Sequence, residues 1–170
     1  MSAEHTEATG PVELSAAARE KIDAWLAKYP AEQRLSASIP ALTIVQEENG
    51  GWLNEPLMDA VALYLGVPRV SIYEVATFYS MFDLHRCGRH KISICNNISC
   101  MLMGADTIVG HIENKLGIKL GETTEDGRIS LHKEEECLAA CPGGPMMLVD
   151  GHYHENLTPE KVDEILDGLE

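Results

Sequence analysis

The chain has 170 residues, a formal net charge of −14, 45% apolar and 24% charged side chains. That length suits one ordinary domain or two small ones, with enough core to fold without disulfide staples. The charge argues against a nucleic-acid binder, whose phosphates would repel this surface, and against docking on an anionic membrane.

The opening stretch MSAEHTEATG has neither the basic region nor the apolar run of a secretory signal. Residues 1–12 read as a flexible tail. No apolar run approaches the roughly eighteen residues of a membrane-spanning helix, so no membrane insertion is expected. The expected location is the cytoplasm, where thiols stay reduced.

Residues 13–86 read as a small bundle of four helices. Ser15 caps a helix running to about Lys28, with Ala18, Ile22, Trp25, Leu26 and Tyr29 on one face and Pro30 ending it. A second helix runs from about Ala37 to Asn49, with Pro40 in its first turn and Gly50-Gly51 as its left-handed exit. Asn54 caps a third, with Pro56 in its first turn and Gly66 at its end. Ser71-Ile72-Tyr73-Glu74 has the form of a capping box and opens a fourth helix through about Tyr79.

After Phe82 the texture changes. Residues 83–90, DLHRCGRH, read as a linker. Lys91 to Ile94 alternates as a strand, and Gly104 to Leu116 is amphipathic with Ile108, Ile112 and Leu116 in register. Arg128 to Leu131 and Met146 to Val149 read as strands. Asp150-Gly151 is a hairpin turn into His152-Tyr153-His154, and Thr158-Pro159-Glu160 opens a last helix. A βαβ unit followed by a ββα unit is the minimal thioredoxin-like layout. The expected fold class is therefore α+β: a helical bundle over 13–86, then a thioredoxin-like α/β domain over 87–170.

Four of the five cysteines form two close pairs, Cys95-x4-Cys100 and Cys137-x3-Cys141. Four thiolates are the usual ligand set of a two-iron, two-sulfide (2Fe-2S) cluster, in which each iron takes two. One pair per iron, each on a loop beside a strand end, would suit that group. Gly143 and Gly144 would let the backbone approach it, and Met101, Leu102, Met103, Met146 and Met147 would exclude water. Zinc is the main rival, although zinc pairs favour the tighter C-x2-C spacing. A dithiol oxidoreductase would need C-x-x-C, which is absent, and inert buried thiols remain a third reading.

Cys87, in HRCGRH, reads as a loop thiol without function. Phe78-Tyr79-Ser80-Met81-Phe82 reads mostly as core sealing the helices to the second domain, with one or two side chains left for a partner. His152 and His154 alternate on a strand and read as a solvated edge. Glu134-Glu135-Glu136 reads as a solvated charge run. No G-x-G-x-x-G or P-loop occurs, so no complete nucleotide or flavin site is expected.

Four motifs in chain order carry a resemblance. SIYEVATFYSMF over 71–82 closely resembles a signature of the small iron–sulfur component of respiratory NADH:quinone oxidoreductase, known as its E or 24-kilodalton subunit. QEENGGWL over 46–53 resembles an earlier motif of that family, with one extra glycine. CNNISCMLMGAD and ECLAACPGGPMM resemble its two cysteine motifs. The resemblance covers roughly Ile22 to the C-terminus. It implies a helical N-terminal domain and a thioredoxin-like domain binding one 2Fe-2S cluster on Cys95, Cys100, Cys137 and Cys141. It further implies a partner that carries FMN and binds NADH, within a complex attached to the inner membrane through other subunits.

Ser99 stands where many relatives have proline, and Pro142-Gly143-Gly144-Pro145 departs from the commoner Ala-Pro. The corresponding component of an NAD-linked hydrogenase or formate dehydrogenase is the nearest alternative. A zinc-stabilised binding module is the alternative from another class. A four-thiolate cluster buried in so acidic a chain is expected to have a low potential, with N–H donors to sulfur acting the other way.

Overall fold

The structure is a computed structural model describing residues 12–132 and 137–170. Most of the expected tail, and the run Glu134–Glu136, lie outside the described residues. Backbone packing divides the chain into two compact units, Met1–Arg86 and Cys87–Glu170.

The first unit contains α1 (Ala16–Leu26), α2 (Ser38–Glu48), α3 (Glu55–Leu65) and α4 (Arg69–Phe78), with a 3-10 turn over Arg34–Ala37. Ser15 caps α1 by accepting from Ala18 N–H, and Asn54 caps α3 by accepting from Leu57 N–H. Each bond satisfies one of the orphan donors of a helix start, an interaction of about 1 kcal/mol. Gly50 and Gly51 both take positive φ after α2, and Gly51 N–H returns to the Gln46 carbonyl at 2.8 Å. That is the left-handed exit expected from the glycine pair.

Two expectations fail here for identifiable reasons. The Ser71–Glu74 capping box is not a cap. α4 begins at Arg69, with Pro68 in the N-cap position, so Ser71 lies inside the helix. Proline fixes φ near the helical value and needs no N–H partner, and so outcompetes the serine as a helix start. Trp25, expected on the buried face of α1, is exposed, with Lys28 Nζ 3.4 Å from its ring centroid. Ala18 and Ile22 carry that face instead. The 3-10 turn is an element that local pattern does not announce. It presents Arg34, whose Nε and Nη2 donate to the carbonyls of Leu65 and Tyr64 and close the C-terminal end of α3.

The Gln46 side chain, almost fully buried, pins the segment after α4. Its Nε2 donates to the Met81 carbonyl at 3.0 Å, and its Oε1 accepts from Asp83 N–H at 2.8 Å. A buried amide satisfied on both ends costs little and fixes the chain it touches. Phe82 is buried beside it, whereas Phe78, Tyr79 and Met81 are exposed. The expectation that most of this aromatic segment is core is therefore wrong. α4 ends at Phe78 and turns the ring outward.

The second unit is a four-stranded sheet in the order β2-β1-β3-β4, made of β1 (His90–Ile94), β2 (Ile129–Leu131), β3 (Met147–Val149) and β4 (His152–His154). β1 runs parallel to β2 and antiparallel to β3, and β3 is antiparallel to β4. A short helix, α5 (Ile98–Leu102), follows β1. The long helix α6 (Ala105–Leu116) then makes the crossover between the parallel strands, and α7 (Pro159–Asp167) follows the hairpin. One sheet face, carrying Ile92, Ile94, Ile129, Leu131, Met147 and Val149, packs on Ile108 and Ile112 of α6 and Val162 and Leu166 of α7. Each such fully buried aliphatic side chain contributes roughly 1.5–3 kcal/mol.

The expected linker over 83–90 is already structured at its end. Gly88 N–H donates to Ser130 Oγ, and Arg89 and His90 N–H groups bond the Gly127 and Arg128 carbonyls. A Cβ on Gly88 would sit 3.0 Å from the Ile129 carbonyl carbon, so glycine permits this close approach. His90 then ties the start of β1 to the β3–β4 turn and to the last residue. Its ring contacts Asp150 Oδ2 at 2.7 Å and the Glu170 carbonyl at 2.9 Å.

The Asp150 contact, followed by the Glu170 carbonyl, raises the His90 pKa above its ordinary 6.5. A base strengthened by folding stabilises the folded state below its unfolded pKa. That contribution is lost as pH rises through the raised folded value. The urea midpoint of the second unit, followed by circular dichroism, is therefore expected to fall as pH is raised above 6.5. His90→Asn should remove that part of the decline, and an unchanged slope in the variant would refute the assignment.

Candidate metal centre

β1 leads directly into Cys95, whose N–H donates to the Met146 carbonyl at 3.1 Å and so extends the β1–β3 ladder by one rung. Cys95 is buried there. The chain then turns through Asn97 into α5, which carries Cys100, also buried. The sequence pattern suggests a loop at this point. The overlooked signal is Asn97, whose Oδ1 accepts from Ile98 N–H at 2.8 Å at the helix start.

Cys95 and Cys100 lie against each other within a small cluster completed by Ala105, Leu138 and Met146. The pKa of the Cys100 thiol is pushed up to about 11, first by burial and then by hydrogen bonding and charge from Cys95. A backbone hydrogen bond with Met146 pulls the other way, and the charge of Cys141 adds to the rise. Without a metal this site holds protons tightly. Any cation bound here must displace them, so loading depends on pH.

The second pair differs. Cys137 and Cys141 are exposed, and Cys141 opens a 3-10 turn over Cys141–Gly143. Cys137 Sγ accepts from Ala139 N–H at 3.4 Å, with Ala139 at φ 58°. Leu138, between them, is buried in the same small cluster as Cys95 and Cys100. The segment is tied to β4 and to the chain just beyond it. Tyr153 Oη donates to the Leu138 carbonyl at 3.0 Å, Asn156 N–H to Gly143 O at 2.6 Å and Leu157 N–H to Pro145 O at 2.9 Å.

Thus the structure brings Cys95 and Cys100 together, with Cys141 near enough for its charge to register, and leaves Cys137 on the open loop. Among the described residues no three His, Cys, Asp or Glu side chains close on one point as a single-ion site would require. Cys87 is half-buried in the second unit's first segment. His152 is exposed and His154 half-buried, with the His154 pKa lowered by burial and then by Lys161 and His152.

Gly144 is the glycine that stands against the thiols. A Cβ there would lie 3.0 Å from Met103 Sδ and 3.3 Å from Cys100 Sγ. The expectation that this glycine allows close backbone approach thus has a concrete counterpart, a wall beside Cys100 that a side chain would fill.

The family model for the thioredoxin-like [2Fe-2S] ferredoxin matches residues 22–170. The chain belongs to that family. The E subunit of the NADH-quinone oxidoreductase of Rickettsia conorii is 45% identical over 143 residues, 84% of this chain and 85% of that one. The E 2 subunit of the same enzyme from Rhizobium meliloti is 46% identical over 151 residues, 89% and 88% of the two chains. An NAD+-reducing [NiFe]-hydrogenase structure in its air-oxidised state shares the fold, with a TM-score of 0.64 and 17% identity. The match covers 75% of this chain and 22% of that one. The family resemblance drawn from the four motifs is correct, as is the α+β class with a thioredoxin-like domain.

The donor set of this ferredoxin-family chain fits a 2Fe-2S group. Four thiols in two pairs are present outside any disulfide, two of them are already side by side, and the backbone at Gly144 clears the space beside one sulfur. Gly144→Ala tests the wall. The methionine end can swing away, but Cys100 is held in a packed cluster, so overpacking is expected to destabilise the second unit by about 1–3 kcal/mol in urea melts. A variant as stable as the parent would show that the wall is loose.

Proposed function

We propose that this chain is an electron-transfer subunit of an NADH:quinone oxidoreductase. In this reading it holds one 2Fe-2S cluster on Cys95, Cys100, Cys137 and Cys141, beside a partner that carries FMN and binds NADH. The observation carrying the reading is the side-by-side burial of Cys95 and Cys100 at the end of β1, with a glycine wall against Cys100. The two relatives from NADH-quinone oxidoreductases, similar over more than four-fifths of their length, supply the setting.

When bound, the cluster supplies reversible one-electron reduction. The chain's own residues ligate it and control its surroundings. Cys95 and Cys100 would hold it as thiolates from inside the fold, fixed by β1 and α5. Cys137 and Cys141 would hold it from the loop on the open side. Met146 and Leu138 keep water from the buried pair. The net charge of −14 opposes adding an electron, which favours a low potential.

The chain's place in a complex is a peripheral one in this reading. Among the described residues no helix is long and apolar enough to cross a membrane. Beside the buried pair, α5 and its end leave Ile98, Met101, Leu102 and Met103 exposed, with Leu102 at 78%. Apolar side chains gathered on one short helix suit contact with another protein of the complex.

The deciding experiment is metal and acid-labile sulfide analysis of anaerobically purified protein, with visible absorption and low-temperature EPR. Two irons and two sulfides per chain are expected, with an EPR signal after dithionite and none after ascorbate. One zinc and no sulfide would replace the proposal with a zinc-stabilised module. Leu102→Glu should leave the spectra unchanged but abolish co-purification with the flavin-bearing partner. Retained co-purification would move the contact elsewhere.

A further inference from the structure

The two halves of the thiol set are held by different physics. Cys95 and Cys100 are 2% and 1% exposed, rooted in a strand end and a helix. Cys137 and Cys141 flank an exposed turn with one residue at positive φ, and no regular strand or α-helix holds them. What fixes that turn is Leu138, buried as a plug, and the hydrogen bonds reaching it from β4 and beyond.

Tyr153 makes one of those bonds. In the β3–β4 ladder it stands opposite Leu148, so both side chains project from the same sheet face. That face is opposite to the one packed on α6 and α7, which takes Met147 and Val149. Leu148 packs on the cluster of Cys95, Cys100, Leu138 and Met146. The Tyr153 ring thus lies at the edge of the cysteine cluster, and its hydroxyl reaches the Leu138 carbonyl at 3.0 Å. The residue is 57% exposed. The hydroxyl contact gives the side chain a reason to be there. The neighbouring ties, Asn156 N–H to Gly143 and Leu157 N–H to Pro145, are backbone bonds that hold the far side of the turn.

We propose that Tyr153 is a positioning residue for the second thiol pair, acting through the Leu138 carbonyl to hold Cys137 and Cys141 in register with Cys95 and Cys100. This rests on the four-cysteine ligation proposed above. Tyr153 does not touch the metal group. It limits how far the exposed turn opens, and opening of that turn is the route by which the exposed half of the ligand set would be lost.

The test compares the full-length, cluster-loaded protein with Tyr153→Phe, which removes one oxygen and keeps the ring. Tyr64→Phe serves as a distant control, because Tyr64 donates to Asp23 at 2.8 Å in the helical unit. Two readouts are used: the rate of visible bleaching with an iron chelator, and amide exchange of residues 138–141 against that of Ile92 and Ile94 in β1. Loss of one hydrogen bond is expected to speed both bleaching and exchange in the turn about fivefold. β1 exchange and the Tyr64→Phe protein should stay at the parental rate.

Tyr153→Phe with parental bleaching and turn exchange would overturn the proposal. Equal acceleration in β1 would overturn it too, by making Tyr153 a general support of the fold. A parent protein that bleaches normally in either case leaves the cluster assignment standing. A parent without sulfide refutes that assignment, and the positioning role with it.

Discussion

The β1–β3 ladder is the constraint on which the rest of the second unit depends. It pairs Ile92 with Val149, Ser93 with Leu148 and Ile94 with Met147, and runs on to the Cys95–Met146 bond. Because the two strands are antiparallel, the end of β1 meets the start of β3. The residues after β1 and those before β3 are therefore brought to the same end of the sheet. The former include Cys95 and Cys100, and the latter include Cys141 and Gly144. A separation of forty residues in sequence, between Cys100 and Cys141, becomes a local neighbourhood through three residue pairs. A slip of one residue would exchange the faces of every side chain on β1 and send Ile92 and Ile94 out of the core.

That register also assigns a role to each face. One face is covered by α6 and α7 and supplies most of the hydrophobic stabilisation. The other is covered near the strand ends by the Leu138 turn and α5, a thinner layer built from few apolar contacts. Stability in a protein is uneven, and segments with few buried contacts open first. The cysteine end of the sheet is thus the part of this unit where polar ties matter most, and the ties present include those made by Tyr153, Asn156 and Leu157.

Much of this is legible in the sequence because the signals are local. Ser15, Asn54 and Thr158 announce helix starts by side-chain caps that depend on three or four residues. The alternation in KISI and the Asp150-Gly151 turn announce the strands. The features that sequence pattern misreads depend on competition or on distant partners. Pro68 and Ser71 both offer a start to α4, and the capping-box pattern at Ser71 draws attention from the proline that wins. Trp25 fits the helical stripe, but Ala18 and Ile22 fill the available core. The segment of residues 78–82 is rich in aromatics, yet the turn after α4 buries Phe82 and leaves Phe78 outside. The spacing of the thiols marks out the candidate ligands. It cannot show that one pair is buried and the other exposed, because burial comes from Leu138 and Met146, which lie near Cys95 and Cys100 only after the sheet forms.

The unequal burial of the two pairs has a physical logic for a group that passes single electrons to another protein. Full enclosure would hold such a group firmly but keep it away from its partner. Full exposure would bring it near and let water and chelators compete for its ligands. In the ligation proposed above, a set with two thiols in the core and two at the surface would answer both demands: the inner pair would supply rigidity and the outer pair proximity. The weak point of that arrangement is the outer turn, and its cure need not be more hydrophobic burial, which would move the group inward. Hydrogen bonds to the turn's backbone stiffen it without covering it, and the contacts from the segment following β3 have that character.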